Sequence, residues 1–319
     1  MEKTPMQKRR LGRSDLVIEP LVLGTNVIGA QCDEATSFAV LDAFVAAGFT
    51  AIDTADVYSR WVPGNESESE KIIGRWMKAR GNRDKVLIFT KVGMDMGIGQ
   101  GLSAAWIEKE VEDSLKRLQT DVIDLYQSHK PDPSVPQEET LAAYDRLIKA
   151  GKVRYIGCSN YDAALLGEAL KIAERDGLPR YQTLQNEYNL YTRDKFEGAT
   201  QDLCVKEDVS GIHFYGLARG FLSGKYRSEA DVGAGSRGAM VVKTYLNPRG
   251  DSILKALDAV AARNNAALAE VALAWIAAQP GMAAPIASAT SVKQVESLVR
   301  GARLTLSEAD LAELTSAGA

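Results

Sequence analysis

The chain has 319 residues, 45% of them hydrophobic, and a formal net charge of −4 with acidic and basic residues interspersed. That is enough to bury one large core or two medium ones, and the charge pattern leaves no face built for nucleic acid or anionic lipid. Cys32, Cys158 and Cys204 form no CxxC pair, which excludes a cysteine zinc site and fits a reducing compartment. "MEKTPMQKRR" lacks the apolar core of a signal peptide, and no apolar run approaches the ~18 residues of a membrane span, so a cytoplasmic protein is expected.

The first element, "QKRRLGRSDLVIEP" (7–20), carries a Gly-Arg-Ser-Asp turn between two short extended runs and predicts a hairpin. Short apolar runs then alternate with longer helical patterns. "LVLG" (21–24) precedes the helix "SFAVLDAFVAAG", "FTAIDT" (49–54) precedes "SEKIIGRWMKARG", and "KVLIFTK" (85–91) precedes "WIEKEVEDSLKRL". "VIDLYQ" (122–127) leads to "TLAAYDRLIKAG", followed by the strands "VRYIGCS" (153–159), "QTLQN" (182–186) and "GIHFYG" (211–216). Residues 228–249, with Gly233, Gly235 and Gly238, are expected to be one long irregular insertion. "LAEVALAWIAAQ" then precedes the last strand, "AAPIAS" (283–288), and a closing helix starts near Ser307. Several helices end at a glycine suited to a left-handed cap. Eight such repeats predict a parallel (β/α)8 barrel, a TIM barrel forming a single domain over 1–319, with the hairpin closing its bottom.

In such a barrel the chemistry sits at the carboxyl ends of the strands. Asp53, Lys91 and His129 fall at or just beyond the ends of the second, third and fourth barrel strands, and Tyr58 follows Asp53 by five residues. A tyrosine exchanging a proton near neutrality needs help with its phenolate; an ammonium supplies it, and a carboxylate keeps that ammonium charged and oriented. A neutral His129 would polarise a carbonyl oxygen at the same point. Singly, each residue has a blander reading: a helix cap for Asp53, a surface tyrosine, a structural histidine. Lys91 resists dismissal, because a lysine ending "VLIFTK" points into the barrel mouth, where its charge needs a partner. A Schiff-base aldolase or isomerase is the competing chemistry, opposed by Asp53, which would keep Lys91 protonated.

"AIDTADVY", "FTKVG", "LYQSH", "IGCSNY", "LQNEYNL" and "GLARGFLSGKYR", in this order and spacing, resemble the aldo-keto reductase superfamily near its bacterial and potassium-channel β-subunit-like branches, over roughly residues 8–315. The resemblance implies metal-free hydride transfer between a nicotinamide cofactor and a carbonyl or alcohol. It implies that Tyr58 is the general acid, tuned by Lys91 and Asp53, and that His129 orients the substrate carbonyl. It also implies that Ser159, Asn160 and Gln185 bind the carboxamide, and that Gly24, Thr25 and Asn26 line the ring. Phe214 would stack on the nicotinamide where relatives usually have tyrosine, with Leu217 beside it; a flat π-face suffices for that. Arg219, Lys225 and Arg227 suit a pyrophosphate, although "GFLSGKY" fails the spacing of a P-loop. Ile286, Ser288, Thr290 and Gln294 would hold the adenosine end.

Many relatives have arginine where this chain has Thr290 and asparagine where it has Leu298, which weakens the case for the 2′-phosphate. No acidic residue occurs from Pro285 to Val295 to repel one, so NADP(H) is expected over NAD(H). Trp61 reads as a substrate wall or as packing under its own loop; specificity is expected there, in "GMDMGIGQG" and in the 228–249 insertion. The channel-subunit likeness leaves a second function open, a cofactor-binding regulatory subunit with little turnover.

Overall fold

The computed structural model describes residues 7–232 and 236–319. The amino-terminal run folds back on itself as β1 (Arg9–Arg10) and β2 (Val17–Ile18), an antiparallel pair separate from the main sheet. Eight parallel strands follow: β3 (Val22–Gly24), β4 (Ala51–Asp53), β5 (Leu87–Val92), β6 (Ile123–Ser128), β7 (Val153–Ser159), β8 (Tyr181–Gln185), β9 (Ser210–His213) and β10 (Met282–Ala287). They close in the order β10-β3-β4-β5-β6-β7-β8-β9 into a barrel, the TIM barrel expected from the sequence. Each of the eight sequence-predicted runs falls on one of these strands. "GIHFYG" stops earliest, because Tyr215 turns to a left-handed φ of 56° and Phe214 keeps only a bridge to Glu187.

The helices are α1 (Glu34–Ala46), α2 (Glu68–Arg80), α3 (Ala104–Leu118), α4 (Gln137–Lys149), α5 (Ala163–Asp176), α6 (Ala199–Glu207), α7 (Ser236–Tyr245), α8 (Pro248–Asn264), α9 (Leu268–Ala277), α10 (Val292–Arg303) and α11 (Glu308–Ala317). Their starts are chemically marked. Asp33, Ser103, Asp162 and Ser307 each accept a backbone N–H of the first turn, satisfying one of the donors a helix leaves unpaired. Gly81 closes α2 in the left-handed conformation that the sequence suggested, its N–H donating to Met77 O at 2.8 Å. Among the described residues no helix is long and apolar enough to cross a membrane.

Side chains alternate across a strand with period two, and the lumen is sorted accordingly. Val22, Ala51, Phe89, Leu125, Ile212, Ala284 and Ile286 form a buried apolar cluster inside the barrel. Leu11, Leu16 and Ile18 of the hairpin belong to the same cluster, so the hairpin seals that end. Arg9 anchors it by donating to the carbonyls of Ala277 (2.7 Å), Met282 and Ala283. Two residues further along three of these strands, the apolar layer gives way to Asp53, Lys91 and Gln127.

The insertion departs from expectation. It contains a 3-10 turn (Glu229–Val232) and α7, so it is not irregular throughout; Gly233 and Gly235 lie outside the described residues. Gly238 sits inside α7 because a Cβ there would lie 2.0 Å from Val232 O. The glycine serves close packing, not freedom of the chain.

Outside the barrel, behind the loop that leaves β4, lies a buried acidic group. Arg117 donates to Glu70 at 2.6 Å and to Glu110, and Thr90 donates to Glu70 at 2.6 Å. Asp56 is fully buried beside them, with neither carboxylate oxygen hydrogen-bonded among the described residues. Burial first, then repulsion from Glu70 and Glu110, raises its pKa well above the usual range, against a smaller attraction from Arg117. An acid with a raised folded pKa is neutral in both states at low pH. As pH climbs past its unfolded value of about 4, only the unfolded chain ionises, and folding loses up to about 1.4 kcal/mol per pH unit. Asp56→Asn, a mimic of the neutral acid, is therefore expected to gain stability relative to wild type as pH rises from about 4 to about 7. Thermal melts across that range check it; a Tm difference that stays constant with pH would mean Asp56 is ionised in the folded protein.

Candidate active site

Lys91 leaves the apolar layer of β5 by one two-residue step from Phe89 and enters the barrel mouth fully buried. Its ammonium donates to Asp53 Oδ2 at 2.5 Å, to Thr54 O at 2.7 Å and to Tyr58 Oη at 3.1 Å. Three acceptors saturate its three N–H bonds. Tyr58 is carried by the loop after β4, pinned where Thr54 N donates to Phe89 O (2.8 Å) and Asp56 N to Lys91 O (3.3 Å). His129 continues the pairing beyond β6, its N–H donating to Val92 O at 2.8 Å, and its ring meets Tyr58 edge-on with centroids 5.9 Å apart. The four residues from three strands thus converge.

Burial is the largest single influence on the titration of Tyr58, Lys91 and His129. It raises the pKa of Tyr58, while Lys91 pulls the other way, the direction expected of the ammonium; the attraction offsets only part of the desolvation, and the resting group is a phenol. Burial alone would lower Lys91, but Asp53 and Tyr58 outweigh it and hold the lysine above its ordinary value. His129 is pushed well below 6.5 by burial and then by Lys91, so it is a neutral imidazole. Its Nδ1 is buried without a partner among the described residues.

A polar ring continues around the mouth. Ser159 Oγ donates to Gln185 O at 2.6 Å, and Asn160, at a left-handed φ of 62°, donates from Nδ2 to His129 O at 2.9 Å. Gln185 Nε2 donates to Asp53 Oδ1 at 3.0 Å. Gly24 lies beside Asp53 in the ladder, and a Cβ on it would come within 2.9 Å of Ser288 Oγ, which itself donates to Asn26 at 2.8 Å. Thr25 is different: it is fully buried, and both its hydroxyl and its N–H donate to Asp53 O, at 2.9 and 3.0 Å. Ile286 belongs to the lumen cluster, and Leu217 packs against the outer core.

The basic residues after β9 are placed less uniformly. Tyr215, Ala218, Arg219 and Gly220 all have positive φ, and Arg219 stacks over the Tyr215 ring at 4.3 Å. Left-handed non-glycine residues are strained, and such strain clusters at functional loops. Lys225 is exposed over Tyr226 (4.9 Å). Arg227 is committed to a two-pronged pair with Asp258, both bonds 2.7 Å. Thr290 N and Oγ1 both donate to Gln294 Oε1, closing the turn into α10. Trp61 is 57% exposed with its ring edge toward Tyr58 (6.2 Å), on the rim and not packed under its loop. Arg60 donates to Met96 O at 2.6 Å and ties that loop to the next, which carries the 71% exposed Ile98.

One residue of the group was not singled out in the sequence. Gln127, fully buried, donates to Asp53 Oδ1 at 3.1 Å. It occupies the same step on β6 that Lys91 occupies on β5, and the ladder pairs the two. A polar residue at an inward position of an otherwise apolar strand was the available signal.

Comparison with known proteins concerns the chain as a whole. The chain matches the sequence model described as "Aldo/keto reductase family" over residues 20–319. It is 35% identical to "Protein tas" of Escherichia coli (strain K12), across 97% of this chain and 96% of that protein. It is 34% identical to "Aldo-keto reductase YhdN" of Bacillus subtilis (strain 168), across 92% and 88%. It is 33% identical to a "Probable voltage-gated potassium channel subunit beta" of Oryza sativa subsp. japonica, across 91% and 89%. With a closed parallel barrel, a buried lysine bonded to aspartate and tyrosine at its mouth, and likeness running nearly from end to end, the chain belongs to the aldo/keto reductase family.

Proposed function

We propose that this protein is an NADPH-dependent carbonyl reductase, able to run in reverse on the matching alcohol, with Tyr58 as general acid. Family membership itself implies nicotinamide-dependent oxidoreduction of a small carbonyl compound. The observation that carries the finer reading is the fully buried Lys91 ammonium bonded at once to Asp53 and to the Tyr58 hydroxyl. The residues at the mouth fit the cofactor: Gln185 Oε1 accepts no hydrogen bond among the described residues, and glycine at position 24 lets Ile286 and Ser288 close up against that strand, where a Cβ would lie 2.8 and 2.9 Å from them. Ser159, Asn160 and Gln185 would hold its carboxamide, Phe214 its ring, and Arg219 and Lys225 its phosphates.

When bound, the nicotinamide supplies or takes up the hydride. Tyr58 gives its proton to the carbonyl oxygen, and Lys91 meets the phenolate left behind. His129, being neutral, donates from its second ring nitrogen to that oxygen and adds no charge to repel Lys91. Two relatives are named potassium-channel β subunits. The assembled lysine, aspartate and tyrosine favour turnover over a purely binding role.

For the 2′-phosphate, the start of α10 offers free N–H groups and the Ser291 hydroxyl, and the Ser288 and Thr290 hydroxyls would have to turn from Asn26 and Gln294 to reach it; no acidic residue occurs from Pro285 to Val295. NADPH is expected to exceed NADH by about 10- to 100-fold in kcat/KM on one carbonyl substrate, about 1.4–2.8 kcal/mol; near-equal values would remove the preference. Tyr58→Phe is expected to lower kcat by about 10² or more while cofactor binding is kept, and activity within about tenfold of wild type would sink the general-acid role. Lys91→Met removes the one attraction that opposes desolvation of Tyr58, so the pH profile of alcohol oxidation is expected to move alkaline. Initial rates across pH decide it, an unmoved profile assigning Lys91 another task.

A further inference from the structure

Behind the groups assigned to chemistry, two buried amides and one carboxylate form a closed triangle. Asp53 Oδ2 is taken by Lys91, and its Oδ1 accepts from both Gln127 Nε2 (3.1 Å) and Gln185 Nε2 (3.0 Å). Gln185 Nε2 also donates to Gln127 Oε1 at 3.2 Å. Only one orientation of the amides satisfies this pattern. A carboxylate can only accept, so both NH2 groups must face Asp53. Gln127 then turns its carbonyl to the second N–H of Gln185, and the Gln185 carbonyl has no inward donor left. The space for this is built in. Gly157 pairs with Gln127 across the ladder, and a Cβ on it would lie 3.2 Å from Gln127 Cγ and 2.2 Å from Thr183 Oγ1.

We propose that Gln127 is a positioning residue with two effects: it fixes the polarity of the Gln185 amide, so that Oε1 faces the barrel mouth, and it shares the negative charge of Asp53. Resting on the nicotinamide reading above, the first effect aims an acceptor at the NH2 of the cofactor carboxamide. The second draws part of the Asp53 charge away from Lys91 and Tyr58, where that charge opposes the phenolate.

Gln127→Met preserves shape and removes both hydrogen bonds. The binding test uses NADP⁺ and its 3-acetylpyridine analogue, in which a methyl replaces the carboxamide NH2, titrated against each protein by calorimetry without substrate. Wild type is expected to prefer NADP⁺ by about tenfold, the scale of one hydrogen bond, and Gln127→Met to discriminate by less than about threefold. The variant's alcohol-oxidation profile is also expected to move alkaline, because more of the Asp53 charge then faces Tyr58. Gln127→Glu keeps an acceptor toward Gln185 but sets an acid against Asp53, so it retains the discrimination while its profile moves. That separates the two effects and serves if the methionine variant does not fold. Full discrimination in Gln127→Met, or an unmoved pH profile in either variant, would overturn the proposal. Failure of wild type to bind NADP⁺ would instead remove the nicotinamide reading, and this inference with it.

Discussion

A lysine sealed from water loses its hydration, and only acceptors arranged in advance can replace it. Lys91 has three: a carboxylate, a carbonyl and a phenol oxygen. Removing any one leaves a buried donor unmet, so the loop bearing Thr54 and Tyr58 is held to the barrel by the same charge that it serves. Asp53 in turn needs acceptors' complements on its other oxygen, and the glutamines of β6 and β8 provide them. The demand passes from residue to residue around the mouth. Each partner is there because its neighbour would otherwise be a buried, unpaired polar group.

The barrel makes this possible by separating its layers. Parallel strands covered on both faces read as nearly continuous apolar runs, and the lumen below the polar ring is filled accordingly. A single two-residue step on β4, β5 and β6 then exchanges Ala51 for Asp53, Phe89 for Lys91 and Leu125 for Gln127. The helical shell outside carries its own charges, and Arg117 with Glu70 and Glu110 braces α2 against α3 directly behind the loop that holds Tyr58.

What the sequence made legible follows the same physics. Strand runs, helix caps and the hairpin are written in local period and turn chemistry, and Asp53, Tyr58, Lys91 and His129 could be placed together because strand ends in a barrel converge. Gln127 was passed over because its partners lie 74 and 58 residues away along the chain, and only closure brings them near. Gly238 suggested an irregular insertion, whereas its reason is contact with Val232 across that insertion. Arg227 looked free to bind phosphate until the fold brought Asp258 to it. For Tyr58, the residue types gave the sign of the Lys91 attraction, but the outcome turned on depth of burial, which no spacing of residues encodes.

The hairpin and the apolar layer also make the lumen a blind well. On the proposed function, and among the described residues, Tyr58, Lys91 and Asp53 would exchange protons with solvent through the mouth that substrate and cofactor would fill. The protons held on those groups would then be a small private stock during each reaction cycle. Its renewal would be tied to the emptying of the mouth, so that proton supply and ligand release would share a single door.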